Sequence, residues 1–338
     1  MTTPPTAAIS YLSSSLYYRH SGRFDAGRTL ITFIAGTVVA LVCGGIYAYI
    51  VRYMPIVGWI TFIITGGTGF ALGSAMGKLL QWARVRNTTL GLAITALAGL
   101  VLVWFSWVVY IYDLLQQIEI PPTLWDCVTS PQIMWQILLD INEHGLWSIK
   151  EAKPTGIFLW AIWLVEAALL IGIPLWYVRK KLDEKAFCEA CQKWCIIRPL
   201  IDLKTLPFSR AEVSRRLESK DFSVIADAKE APKGSLMYWT VSLQGCPSCD
   251  TTQTLCIDET VLTQNKKGQW EKTIKPVVKR LLLAPEDTVA MTMAVSQVRS
   301  AHTEAALAGD TKVKDDEAAA LQALNESTAT AAEDSSAA

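Results

Sequence analysis

Hydrophobic positions along this chain follow two regimes. Up to residue 181 they run in long stretches, Leu30 to Val51, Tyr53 to Gly77, Asn87 to Tyr112 and Pro154 to Val178, interrupted by a single charged residue, Glu166. Each stretch exceeds the roughly 20 residues that a helix needs to cross about 30 Å of hydrocarbon. Four such runs in one region leave almost no amphipathic helix to cover a soluble core, so the pattern predicts an α-helical integral membrane bundle of four transmembrane helices. The first run is too long for the roughly 7–15-residue apolar core of a cleaved leader, and it is expected to stay in the protein.

After Lys181 the pattern shortens and begins to alternate. Ser209 with Glu212 reads as a capping box opening a helix near 210–219. Strand-like alternation covers Phe222 to Ala226, Leu236 to Leu243, Gln253 to Leu262 and Trp270 to Leu283, with a hairpin turn at Asn265 to Gly268. A further helix is expected near 286–299. From Ala301 the chain is rich in Ala, Thr, Glu and Ser, lacks apolar periodicity and carries eight acidic residues against Lys312 and Lys314, so a disordered acidic tail is expected. The resulting division is an N-terminal segment 1–28, a four-span domain 29–181 with an outer loop 113–153, a small α+β domain 182–300 and the tail 301–338.

Charge supplies the orientation. Arg19, Arg23 and Arg28 precede the first span, Lys78, Arg84 and Arg86 lie between the second and third, and Arg179, Lys180 and Lys181 close the fourth. Only Arg52, Lys150 and Lys153 fall on the other side, so the positive-inside bias puts both termini in the cytoplasm, with the chain in the plasma (inner) membrane. In the outer loop, Ser130, Pro131 and Gly145 bracket a helix whose apolar stripe is Ile133, Met134, Ile137, Leu138 and Ile141. With Trp125, Trp135 and Trp147 nearby, it lies flat on the outer leaflet, caps the bundle, or is simply a small buried helix over the loop. The formal net charge is zero and no basic surface of the nucleic-acid-binding kind is present.

Eight cysteines carry the most specific chemistry. Cys188/Cys191 and Cys246/Cys249 form two C-x-x-C pairs, and in reducing cytoplasm metal ligation is a better explanation for them than disulfides. The 54 residues between Cys191 and Cys246 exceed the roughly 15–20 of a compact ribbon, so further elements must be inserted between the knuckles. A structural Zn2+ on these four thiolates, in a zinc-ribbon-like domain, is the expected cofactor. Cys195 and Cys256 are read as core residues or substitute ligands, Cys43 as a small apolar side chain, and Cys127 as a buried thiol or an intersubunit partner. A thiol redox pair would need a C-x-x-C at a helix N-terminus, which neither motif has.

Inside the spans, small residues recur every fourth position: Gly36, Ala40 and Gly44, then Gly69, Gly73 and Gly77, then Gly91, Thr95 and Gly99. Such stripes allow close helix approach or an oligomer interface. Glu166 is the thirteenth of the 25 residues from Pro154 to Val178, at mid-depth, and must face protein or water. It is read as a neutral hydrogen-bond donor to Thr65, with Thr68, Thr95 and carbonyls near Gly66 and Gly67 as alternatives. His20, His144 and His302 lie in separate regions without an evident nucleophile, which argues against an enzyme. The expected function is a non-enzymatic, membrane-anchored scaffold whose zinc module meets an unidentified cytoplasmic protein. The alternative is a small transporter or channel, possible as a homo-oligomer, that uses Glu166.

Overall fold

A computed structural model describes residues 15–54, 59–116, 121–145, 155–204 and 208–304. The chain divides into two compact units, one spanning Arg19–Phe187 and the other joining the N-terminal residues up to Tyr18 to the chain from Cys188 onward.

The first unit contains four long helices, α1 (Ala26–Tyr53), α2 (Trp59–Trp82), α3 (Thr88–Leu115) and α6 (Gly156–Leu182), with the short α4 (Leu124–Thr129) and α5 (Pro131–His144) between α3 and α6. All four long helices have the length and composition needed to cross a membrane. Each runs past the C-terminal end of its apolar stretch, but only α1 also begins before its stretch, and two starts are capped: Asp25 accepts from the Arg28 N–H and Asn87 from the Leu90 N–H. Outward positions are apolar and bare, with Ile157 89%, Leu164 72% and Ile63 70% exposed, the reverse of a soluble surface.

Helix α2 packs most extensively on α6, and α1 on α3. The glycine stripes lie at these crossings and at those of α1 with α2 and of α3 with α6. A Cβ on Gly44 would sit 2.8 Å from the Leu102 carbonyl oxygen, one on Gly73 2.9 Å from the Cα of Pro174, and one on Gly69 3.0 Å from the Leu169 carbonyl oxygen. Gly36 faces Met76, Gly77 faces Tyr177, Gly91 faces Leu182 and Gly99 faces Ile171. The stripes are therefore occupied by neighbouring helices of the same chain. Polar groups between helices pair locally: the Tyr47 hydroxyl meets Thr65 Oγ1 at 3.1 Å, and Thr32 donates to the Leu79 carbonyl at 3.3 Å. At the end of α1, Arg52 Nε and the Tyr53 hydroxyl both donate to Asp113, at 3.0 and 2.8 Å. Arg52 thus meets a counter-charge on α3.

Helix α5 runs from Pro131 to His144, and Gly145 beyond it takes φ 69°. Met134 and Ile141 are buried whereas Ile133 is exposed, and Met134 joins Val108, Ile111 and Cys127 in one apolar cluster. The helix therefore packs against α3, as a cap would. Its neighbour α4 turns Cys127 and Val128 into the same cluster and is opened by a capping box between Thr123 and Asp126. Trp147, Lys150, Glu151 and Lys153 lie outside the described residues.

The second unit holds a two-stranded hairpin, β1 (Phe187–Cys188) with β2 (Lys193–Trp194), and a four-stranded antiparallel meander, β3 (Ile196–Leu203), β4 (Met237–Gly245), β5 (Gln253–Gln264) and β6 (Trp270–Leu283). Between β3 and β4 come α7 (Arg210–Glu218), capped by Ser209, and α8 (Ser223–Ala226). A helix, α9, follows β6 over 285–304 of the described residues. Helices on one face of an antiparallel sheet make this an α+β unit. Its core joins Val213 and Leu217 of α7, Val224 and Ile225 of α8, and Met291 and Val295 of α9 to Trp239, Val241, Leu255 and Ile257 of the sheet. Within that core Glu259 is buried, held by Arg210 and by the Trp239 indole N–H at 3.3 Å.

Four elements differ from the sequence expectation. Phe222 to Ala226 is not a strand. Val224 and Ile225 are both buried, which adjacent residues of a strand with one covered face cannot achieve. Asp221 also accepts from the Ser223 N–H and hydroxyl, starting a helical turn. Strand β3 has no clean alternation because it is an edge strand that accommodates Pro199 beside a bulge. Of the expected N-terminal segment, residues 16–18 join the sheet unit, whereas the chain from Arg19 belongs to the helical one: Tyr17 bridges Leu281, the Tyr18 N–H donates to the Arg280 carbonyl and the Leu282 N–H to the Leu16 carbonyl. The tail is helical through residue 304, and 305–338 lie outside the described residues.

Gly44→Ala and Gly73→Ala are each expected to lower the stability of the helical unit by about 1–3 kcal/mol through overpacking. Gly67→Ala, with no neighbour within 4 Å of its added carbon, should leave it unchanged. Thermal unfolding in mild detergent measures both, and equal behaviour of the three variants would contradict the assigned crossings.

Candidate metal centre

Sheet register explains how two motifs separated by 54 residues meet. The first knuckle, Cys188 to Cys191, is the tip of the β1–β2 hairpin and lies just before β3, and the second, Cys246 to Cys249, lies just after β4. Antiparallel pairing begins with Ile196 opposite Gly245. The start of β3 is thereby beside the end of β4, and the inserted α7 and α8 close the chain at the opposite end of these strands.

Each knuckle is shaped by local hydrogen bonds. In the first, Gln192 adopts φ 53°, and its side-chain amide donates to the Glu189 carbonyl at 2.7 Å, supporting a left-handed turn usually given to glycine. In the second, the Ser248 N–H points to Cys246 Sγ at 3.5 Å and the Cys246 N–H donates to the Thr252 carbonyl at 3.2 Å. Gly245 precedes this turn where a Cβ would lie 2.4 Å from Gln253 Oε1. Lys193 ties the two knuckles together by donating to Ser248 Oγ at 2.9 Å.

The sulfurs of Cys188, Cys191, Cys246 and Cys249 lie within 4.8 Å of one another, with Cys188 and Cys246 buried and the other two half-buried. Cys191 Sγ is 3.2 Å and Cys188 Sγ 3.6 Å from Cys249 Sγ. A tetrahedral ion with metal–sulfur bonds of about 2.3 Å holds its sulfurs about 3.8 Å apart, so these spacings suit such a site. They are too long for a disulfide, which requires about 2.05 Å, and all eight cysteines are free.

Protonation follows the same geometry. Hydrogen bonds from the Thr251 hydroxyl and N–H, and from the Cys191 and Cys188 thiols, bring the Cys249 thiol down to about 6. Cys191 is pushed up to about 12, chiefly because its proton is donated to Cys249, with burial adding to the effect. Burial first, and the other thiols second, raise Cys195 to about 12. One sulfur thus collects negative charge while its neighbours direct protons at it. A divalent cation would replace those protons, and four thiolates are a donor set selective for soft or borderline ions.

The remaining expected site residues fall elsewhere. Cys195 is buried near the four thiols without joining them, and Cys256 lies within β5 opposite Ser242, where the Gln244 amide approaches its sulfur at 3.5 Å. Glu166 is half-buried on α6. The hydroxyl of Thr65 bonds Tyr47 and donates to the Thr61 carbonyl at 2.8 Å, so its recorded partners do not include Glu166. Tyr47 has no sequence signal for this role beyond its depth in α1. His20 approaches the Leu182 carbonyl, His144 lies beside Asp140 and His302 is 3.8 Å from Glu230. None of the three belongs to the cysteine group.

Comparison with protein-family models, with curated proteins and with solved structures returns no match.

Cys191→Ser and Cys246→Ser are each expected to lose the bound metal and melt the knuckles, because apparent binding energies of about 10–16 kcal/mol accompany such sites. Cys256→Ser should retain it. Metal content per chain, measured by plasma mass spectrometry on the purified protein, distinguishes them. Full metal retention in Cys246→Ser would contradict the ligand assignment.

Proposed function

We propose that this chain is a non-enzymatic, multi-pass membrane protein whose sheet unit, folded around a structural zinc ion, presents a binding surface to a cytoplasmic protein. The convergence of four cysteine sulfurs from two knuckles carries the reading. A closed four-thiolate shell leaves no open coordination position for a substrate, which is the signature of a structural rather than a catalytic ion. Membrane insertion is supported by four long helices with bare apolar exteriors. Residues 16–18 pair with β6, so chain segments from before α1 and after α6 share one unit. This favours an even number of crossings, and the clusters of Lys and Arg favour the cytoplasm for that unit. The proposed location is therefore the plasma (inner) membrane with both termini inside.

The transporter alternative draws on Glu166, the one charged residue within the central parts of the spans. Relays through a bilayer use several ionisable groups in series. The glycine stripes are already engaged inside the chain, which leaves less support for a pathway built by oligomerisation.

Intact chain purified in mild detergent should contain one zinc per chain, and a fluorescent protein fused to the C-terminus should fluoresce whereas a periplasm-dependent phosphatase fusion stays inactive. Glu166→Gln should leave zinc content and partner cross-linking unchanged, while Cys246→Ser abolishes both. An active phosphatase fusion would overturn the orientation, and solute flux abolished by Glu166→Gln would favour the transporter.

A further inference from the structure

The β5–β6 hairpin extends beyond the rest of the sheet. Pairing between β4 and β5 begins at Met237 opposite Val261, whereas β5 and β6 continue to Gln264 opposite Trp270. Every residue from 263 to 276 is exposed. The arm is nonetheless well built: Asn265 Oδ1 accepts from the Lys267 and Gln269 N–H groups, the Gly268 N–H closes on the Asn265 carbonyl, and Gly268 takes φ 77°. A two-stranded ribbon without a third strand is marginally stable in water and gains from a surface to lie on.

Its composition indicates which surface. Residues 263–276 carry Lys266, Lys267, Lys272 and Lys275 against the single acid Glu271. Lysines on an exposed edge are a common guard against strand pairing and alone imply nothing more. Trp270 and Ile274, however, are 59% and 55% exposed and share one strand face with Lys272, by the two-residue period of a strand. Lys272 also lies over the Tyr238 ring at the base of the arm, 6.0 Å from its centroid. Large apolar side chains interleaved with cations on an exposed face match an anionic lipid interface, where Trp sits at headgroup depth and lysines meet phosphate.

We propose that this hairpin docks on the anionic lipid headgroups of the leaflet in which the chain is anchored, with Trp270 and Ile274 inserted between headgroups and Lys272 and the turn residues Lys266 and Lys267 against their phosphates. The proposal rests on the membrane reading above. Anchoring by the four spans holds the arm at high effective concentration near the bilayer, so a weak surface contact suffices.

The test uses the full chain in nanodiscs of phosphatidylcholine alone or with phosphatidylglycerol, read by hydrogen exchange of amides 262–276. Slower exchange only in the anionic discs, reversed by high salt and by Trp270→Ala/Ile274→Ser, is the expected result. Lys266→Gln/Lys267→Gln should weaken the contact about 25-fold, at about fivefold per lysine near an anionic surface. Unchanged exchange of 253–258 in each variant verifies that the sheet is folded. Identical exchange in neutral and anionic discs overturns the proposal. So does protection in both discs that disappears when residues 305–338 are deleted, which would make the acidic tail the occupant. Co-migration of the chain with discs on gel filtration is scored separately, so failure of membrane insertion is distinguished from failure of docking.

Discussion

The pairing of Ile196 with Gly245 is the constraint on which the sheet unit turns. It aligns the start of one strand with the end of the next, and each of these ends carries a C-x-x-C knuckle. A slip of one residue would turn every β3 side chain to the other face and displace one pair of sulfurs from the other. Register is fixed from the interior, because Ile201 and Leu203 of β3 and Trp239 and Val241 of β4 must reach the same core under α7, α8 and α9. The hydrophobic core and the thiol cluster are thus two consequences of one alignment. Formation of either favours the other.

The helical unit is governed by a different economy. In the bilayer proposed for them, these helices would have no hydrophobic reason to associate, so close contact would have to come from shape. Glycines at the α1–α3 and α2–α6 crossings bring a backbone against a neighbouring carbonyl or proline ring. The few polar groups are absorbed in pairs, Tyr47 with Thr65 at depth and Arg52 and Tyr53 with Asp113 at the helix ends. The two units consequently use opposite surface rules: the helices expose isoleucine and leucine, while the sheet unit buries them and exposes charge. The rule is not strict: Ile196, Leu236, Val289 and Met293 of the sheet unit are exposed, as are Trp270 and Ile274 of the β5–β6 arm.

Much of this was readable in the chain. The four helices, the cap at Ser209, the turn at Asn265 to Gly268 and strand β6 have strong local signals: apolar length, a capping side chain, a glycine at positive φ and alternation; Ser130 stands at the N-cap of α5 but makes no side-chain cap bond. Elements that failed to show lacked such signals. Helix α8 is one turn long, too short for its period to be told from a strand; β3 contains a proline and a bulge; and the pairing of Tyr17 with Leu281 joins residues more than 260 positions apart.

The spacing of Cys188, Cys191, Cys246 and Cys249 by itself determined which sulfurs are suited to share an ion, because a two-residue gap turns both thiols of a knuckle the same way. Apolar length likewise determined that there are four helices long enough to span a membrane, though not their exact ends. Only the tertiary structure decided that 54 intervening residues fold away and return to bring the knuckles together, that Cys195 and Cys256 stand outside the group, and that Thr65 is bonded to Tyr47. These are contacts between distant segments, fixed by strand register and helix crossing, and short-range patterns in a chain do not encode which distant neighbour each side chain will meet.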